Sequence, residues 1–196
     1  MNDSRIGQIV NYASLASDVG VSATTIKEWI AVLEATYILI RLELYFENFG
    51  KRLIKSPKLY FADTRLVCYL LGIDTVEQLV KDSLYGNIFE NWVVLELIKS
   101  RYNRALEPRL YFYRDVAGKE VDLLFQQGSH LVPIEIKSGK TLSPSLLGGL
   151  HYFHKQAPRR AFSGCLIYAG EEMQRIGDFH LFSAKKSCDQ VLDNLG

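Results

Sequence analysis

Apolar and polar positions along this chain change period several times, and each change marks an element. Between 12 and 42 the apolar residues recur at helical spacing. Leu15 and Val19 stand four apart, then Ile26, Ile30 and Leu33 mark a second stripe. Gly20 separates the stripes and Ser22 is placed to cap the second, so two short helices are expected, the latter over Ala23–Ala35. That is helix-turn-helix spacing, with the second helix in the position of a recognition helix. Residues 37–46 are rich in β-formers, Glu47-Asn48-Phe49-Gly50 is turn-like, and 52–61 returns as a strand. A helix-turn-helix followed by a hairpin reads as a winged helix.

The rest of the chain alternates between the two periods. Short helices are expected near 64–71 and 75–80, and a long amphipathic helix over 85–102. Strands follow over 109–114, 120–126 and 131–137, separated by Asp115-Val116-Ala117-Gly118 and by Gln126-Gln127-Gly128-Ser129. A helix over 144–156, a buried strand over 164–169 and a last strand over 179–183 complete the set. The order α-β-β-β-α-β, with a mixed sheet between helices, predicts an α/β core. The expected division is 1–61 for the helix-hairpin module, 62–85 for a helical junction and 86–196 for the core.

Charge breaks the apolar pattern on two neighbouring strands, at Glu120-Val121-Asp122 and Glu135-Ile136-Lys137. Alternate side chains of a strand point to opposite faces, so Val132, Ile134 and Ile136 share one face while Glu135 and Lys137 share the other. Asp122 likewise points away from Val121, Leu123 and Phe125. The intervening turn then brings Asp122, Glu135 and Lys137 to one edge. Two carboxylates and an ammonium there form a divalent-metal site suited to phosphodiester chemistry. Crowded carboxylates hold protons unless a cation intervenes, and magnesium accepts carboxylate oxygens while retaining waters. Glu90, among Ile88, Phe89, Trp92 and Val93, needs a partner if buried, and its helix can add a third oxygen. The bland alternative is a Glu135–Lys137 ion pair on a half-exposed strand.

Composition sets the scale without choosing the function. The 196 residues are 48% hydrophobic and 23% charged, enough for one sizeable domain or two small ones. A net charge of +1 gives no overall basic field, so nucleic-acid binding would rest on local patches. Cys68, Cys165 and Cys188 are an odd number without metal-ligand spacing, which argues against a disulfide framework. Neither a secretory signal nor a membrane span is legible, so a cytoplasmic protein is expected.

At the charged runs the chain also resembles a known family. Gly118-Lys119-Glu120-Val121-Asp122 followed by Pro133-Ile134-Glu135-Ile136-Lys137-Ser138-Gly139 resembles the PD-(D/E)XK nuclease fold. More closely, it resembles the C-terminal domain of unknown function that trails AAA-type ATPase modules in prokaryotic ATP-binding proteins. Asn11-Tyr12-Ala13-Ser14-Leu15-Ala16 with Val19-Gly20-Val21-Ser22 is similar to that family's start. Asn48-Phe49-Gly50-Lys51-Arg52-Leu53, Lys55-Ser56-Pro57-Lys58-Leu59-Tyr60-Phe61 and Phe89-Glu90-Asn91 fit it too, while Arg65 stands where a glycine is expected. The resemblance implies a winged helix-turn-helix followed by a restriction-endonuclease-like core. It implies Glu90, Asp122, Glu135 and Lys137 at the signature positions. Asp122 and Glu135 would hold Mg²⁺ or Mn²⁺, Glu90 would complete or orient the site, and Lys137 would position water and phosphate. It also implies an ATPase domain as partner, in a longer protein or in trans.

DNA contacts are expected from Lys27 on the second helix and from Arg41, Lys51, Arg52, Lys55 and Lys58 around the hairpin. Such cations can track a phosphate backbone without reading sequence. Glu28 and Glu34 oppose that use, and a helix-turn-helix employed for protein docking is the alternative. Ser138-Gly139-Lys140-Thr141 has the tail of a phosphate-binding loop, but Ile134 stands where its first glycine is required, so no ATP site is expected. His151 and His154 lie one helical turn apart beside Tyr152 and Phe153 without a third ligand nearby, which favours packing. Two functions stay open: a Mg-dependent deoxyribonuclease-like module serving an ATPase, or a non-catalytic interaction domain that couples an ATPase to its target.

Overall fold

The computed structural model of the chain describes residues 6–46, 56–187 and 191–195. Lys51, Arg52 and Lys55, the expected turn at 47–50 and Cys188 lie outside the described residues. The chain divides into two units, 1–43 with 56–91 and 44–55 with 92–196.

The first unit opens with α1 (Tyr12–Val19) and α2 (Ala23–Ala35). Asn11 Oδ1 accepts from the Ser14 amide and Ser22 Oγ from the Thr25 amide, each at 3.0 Å. Both helices therefore start on a short polar side chain that supplies an acceptor their first turn lacks. Gly20 ends α1 at φ 78°, a left-handed conformation in which a side chain is strained. Val10, Ala16, Ile26 and Ile30 make a small core between the helices. β1 (Leu39–Leu42) and β2 (Lys58–Phe61) pair antiparallel, from Leu39 opposite Phe61 to Leu42 opposite Lys58. α3 (Thr64–Leu70), α4 (Val76–Lys81) and the start of α5 (Tyr85–Tyr102) follow. Asn91, fully buried, ties α5 to the end of β2. Its Oδ1 accepts from the Phe61 amide at 2.8 Å and its Nδ2 donates to the Phe61 carbonyl at 2.9 Å.

The second unit carries the rest of α5 and a mixed six-stranded sheet. Its strands are β3 (Leu110–Arg114), β4 (Glu120–Gln127), β5 (His130–Lys137), β6 (Cys165–Tyr168), β7 (Gln174–Ile176) and β8 (Phe179–Ser183), in the spatial order β3-β4-β5-β6-β8-β7. β3, β4 and β5 form an antiparallel meander, and β6 runs parallel to both β5 and β8. A parallel pair needs a crossover. Here it contains a 3-10 turn at Pro144–Leu147 and then α6 (Gly148–Gln156). Phe153 of α6 joins Tyr113, Val121, Leu124 and Leu131 in one buried cluster, and Leu150 joins Leu166, Tyr168 and Leu181 in another. Phe125 faces the other way, and Arg101 of α5 lies over its ring at 5.3 Å. Cover on both faces explains why β4 and β5 read as nearly continuous apolar runs.

The element order α5-β3-β4-β5-α6-β6 follows the expected order, with two local differences. The helix expected over 144–156 is divided, because Pro144 starts a tight turn and α6 begins only at the glycine pair 148–149. β7 is not announced by its own residues. Gln174, Arg175 and Ile176 are all exposed, and only pairing with β8 makes them a strand. The chain then ends in two short helices, α7 (Ala184–Ser187) and α8 (Val191–Asn194). Among the described residues no helix is long and apolar enough to cross a membrane.

Candidate functional site

β4 and β5 pair with Leu123 opposite Ile134, and the same register carried one step further sets Asp122 opposite Glu135. At that step a side chain takes over from the backbone. Asp122 Oδ2 accepts from the Ile136 amide at 2.8 Å, as a carbonyl does in the paired part of the ladder. The same oxygen takes the Lys137 ammonium at 3.1 Å, and Lys137 Nζ reaches Glu135 Oε2 at 2.6 Å. The three side chains meet where β5 ends beside the parallel strand β6. In α/β sheets the carboxyl ends of parallel strands are where crevices for ligands open.

Exposure rises across the trio, from 7% for the Glu135 side chain to 15% for Asp122 and 35% for Lys137. Burial first, and then the repulsion of Asp122, push the Glu135 carboxyl up to about 8, although Lys137 pulls the other way. Burial also opposes the charge on Lys137, but Asp122 and Glu135 outweigh it and hold the ammonium well above the ordinary lysine range. Burial is the larger cause, and stoichiometry adds to it. Two carboxylates share one ammonium, so near neutral pH the buried carboxyl keeps its proton.

A divalent cation would satisfy that surplus carboxylate, so the donor set fits Mg²⁺ or Mn²⁺, with Asp122 and Glu135 as hard oxygen ligands and water for the rest. Among the described residues no group of three or more His, Cys, Asp or Glu gathers to hold a metal. Glu90 is engaged within the first unit. Its Oε1 accepts from the Tyr60 hydroxyl at 2.7 Å and from Lys58 Nζ at 3.3 Å. The partner that a carboxylate in such an apolar stretch demands is supplied there.

The expected phosphate contacts are placed as follows. Lys58 is only 2% exposed and turns its ammonium inward to Glu90. Arg41 donates through Nε and Nη2 to Glu34 at 2.6 and 2.9 Å, with Glu43 at 3.8 Å. Lys27 Nζ lies 5.4 Å from the centre of the Tyr12 ring. Lys51, Arg52 and Lys55 are the ones outside the described residues.

Gly149 adjoins the trio, and Asp115 and Tyr152 fasten α6 to the β3–β4 turn; the charge pattern alone does not pick them out. Asp115 is fully buried at the β3–β4 turn. Its Oδ1 accepts from the amides of Ala117 at 2.9 Å and Lys119 at 3.0 Å, and its Oδ2 from the Tyr152 hydroxyl of α6. The spelling Asp-Val-Ala-Gly is the legible sign of such a side-chain-braced turn. Gly149 lies directly over Glu135: a Cβ there would stand 2.8 Å from Glu135 Cδ and nearer still to Oε1. A glycine pair inside an expected helix is the corresponding signal. His151 and His154 both set their rings edge-on to Phe179, at 4.8 and 5.3 Å, as packing residues do.

The profile of a domain of unknown function, DUF4143, matches residues 85–186, more than half of the chain and the part that holds the trio. The chain belongs to the DUF4143 family. A second domain of unknown function, DUF8612, matches residues 2–77, upstream of the DUF4143 part. Two relatives are the uncharacterized protein Mb2031c of Mycobacterium bovis and the uncharacterized protein Rv2008c of Mycobacterium tuberculosis. Each is 33% identical over 175 residues, which is 88% of this chain and 37% of the relative. This DUF4143 chain thus spans little more than a third of the length of those curated relatives. No solved structure matches it.

Proposed function

We propose that this chain is the nuclease-like, nucleic-acid-binding module of an AAA-type ATPase, a winged helix followed by a PD-(D/E)XK-like core, with Mg-dependent phosphodiester hydrolysis as its reaction. The observation that carries the reading is the meeting of Asp122, Glu135 and Lys137 at the end of β5, each carboxylate within 3.1 Å of the Lys137 ammonium. Asp122 and Glu135 are the residues that would hold Mg²⁺ or Mn²⁺, which lowers the pKa of a bound water and stabilises charge on a phosphoryl oxygen. Lys137, kept protonated by both carboxylates, has ammonium donors for a phosphate oxygen or for orienting the attacking water. Asp122 is held in place by the Ile136 amide, so its carboxylate is preorganised rather than free to rotate. Glu90 serves the first unit, fastening α5 to β2 through Tyr60 and Lys58.

For the first unit, the succession α1, α2, β1, β2 supports the winged-helix reading. The greater length of the curated relatives leaves room for an attached ATPase domain.

One observation favours a second reading. Lys137 bonds both carboxylates at once, and a closed ion pair of that kind suits a non-catalytic interaction domain that couples an ATPase to its target. Titration with Mg²⁺ and Mn²⁺ separates the two, with thermal stability followed alongside cleavage of single- and double-stranded DNA. Metal-induced stabilisation and cleavage, both lost in Asp122→Ala, support the nuclease. A wild-type chain that shows neither leaves the interaction domain.

A further inference from the structure

Gly148 and Gly149 both lie in the first turn of α6, a helix that alanine favours more than glycine does. Their surroundings differ. A Cβ at Gly148 would meet nothing within 4 Å. At Gly149 it would stand 2.8 Å from Glu135 Cδ, nearer still to Oε1, and 3.3 Å from the Glu120 carbonyl oxygen. Only the second glycine is required by its neighbours, and the neighbour it accommodates is a carboxylate of the trio. Lys137 holds Glu135 through Oε2 at 2.6 Å, and Oε1 occupies the space that a Cβ at residue 149 would fill.

We infer that Gly149 is a positioning residue: it lets α6 lie directly over the Glu135 carboxylate and so keeps that group beside Asp122 and Lys137. A methyl at 149 must displace something. α6 is pinned by the fully buried Leu150 and Phe153 and by the Tyr152 hydroxyl on Asp115, and the Glu120 contact is backbone. The Glu135 side chain is the softest of the groups it would strike, so the carboxylate leaves its place in the trio. The further consequence rests on the metal reading of the site. Residue 149 then governs how tightly the acidic pair takes a divalent cation, without touching the cation itself.

The test uses the full chain with Gly148→Ala, Gly149→Ala, Glu135→Ala and the double variant Gly149→Ala/Glu135→Ala. In metal-free melts Gly148→Ala keeps or raises the Tm, whereas Gly149→Ala lowers it by roughly 3–10 °C. With Glu135 already truncated, Gly149→Ala no longer lowers the Tm. An equal drop in both backgrounds, or no drop in either, overturns the inference. Where Gly149→Ala alone does not fold, a folded double variant supports it and two unfolded proteins overturn it. Mn²⁺ is then titrated, and Gly149→Ala binds at least tenfold more weakly than wild type and Gly148→Ala. Wild-type affinity in Gly149→Ala overturns the control of the cation. A wild-type chain that ignores Mn²⁺ refutes the metal reading of the site alone, and the melts still decide where Gly149 holds Glu135.

Discussion

A single buried carboxyl, Glu135, sets a pH dependence whose sign follows from its surroundings. Its proton is held up to about pH 8 in the folded chain, against an ordinary value of 4.5. Between those values the folded state carries a proton that the unfolded state has released, so folding weakens as pH rises. The stability tied to this proton is complete below about pH 4.5 and lost by about pH 8, with a slope of at most about 1.4 kcal/mol per unit. Glu135→Gln removes the titration. In urea unfolding at pH 5.5 and pH 8, wild type is expected to lose more stability over the interval than the variant does. Asp122 works differently at the same scale, because its carboxylate serves the Ile136 amide as well as Lys137. Asp122→Ala strands that amide and is expected to cost about 1–3 kcal/mol without any metal present, read as a lower urea midpoint.

Elements place these side chains, and two substitutions in α6 test how. α6 is fastened over the site by Leu150 and Phe153 in the core and by Tyr152 on Asp115. Tyr152→Phe keeps the ring and removes the donor from a fully buried carboxylate, for an expected loss of about 1–3 kcal/mol in chemical denaturation. Leu150→Ala opens a cavity beneath the same helix and is expected to lose about 2–5 kcal/mol. In the first unit the element-scale fastening is Asn91, which holds both backbone groups of Phe61. The β4–β5 register matters as much as any of these. A slip of one residue would turn Asp122 away from Glu135 and send the apolar set to the wrong face.

Taken whole, the molecule carries a net charge of only +1. Arg41, Lys58 and Lys137, three of its described cations, are already paired with carboxylates. Binding to DNA is therefore expected to depend less steeply on salt than that of a protein making about 6–10 phosphate contacts. Each phosphate neutralised contributes about −0.9 to the slope of log K against log salt, and the chain is expected to show a slope no steeper than about −4. Fluorescence anisotropy between about 50 and 200 mM salt measures it. A much steeper slope would mean that cations beyond the expected contacts at Lys27, Arg41, Lys51, Arg52, Lys55 and Lys58 reach the phosphates.

Much of this was legible in the sequence, because much of it is local. Ser22 capping α2, Gly20 ending α1 and the bounds of α5 at 85–102 each depend on residues within a turn of one another. The period of two likewise put Asp122, Glu135 and Lys137 on one face, where the structure has them. Cover is another matter, since alternation specifies a face and says nothing of what lies over it. Only the tertiary structure laid Gly149 on Glu135, sent Tyr152 to Asp115, turned Lys58 inward to Glu90 and made a strand of 174–176. Those outcomes depend on which distant segments exclude water and supply partners. The same exclusion raises the Glu135 carboxyl and decides whether its charge needs a cation.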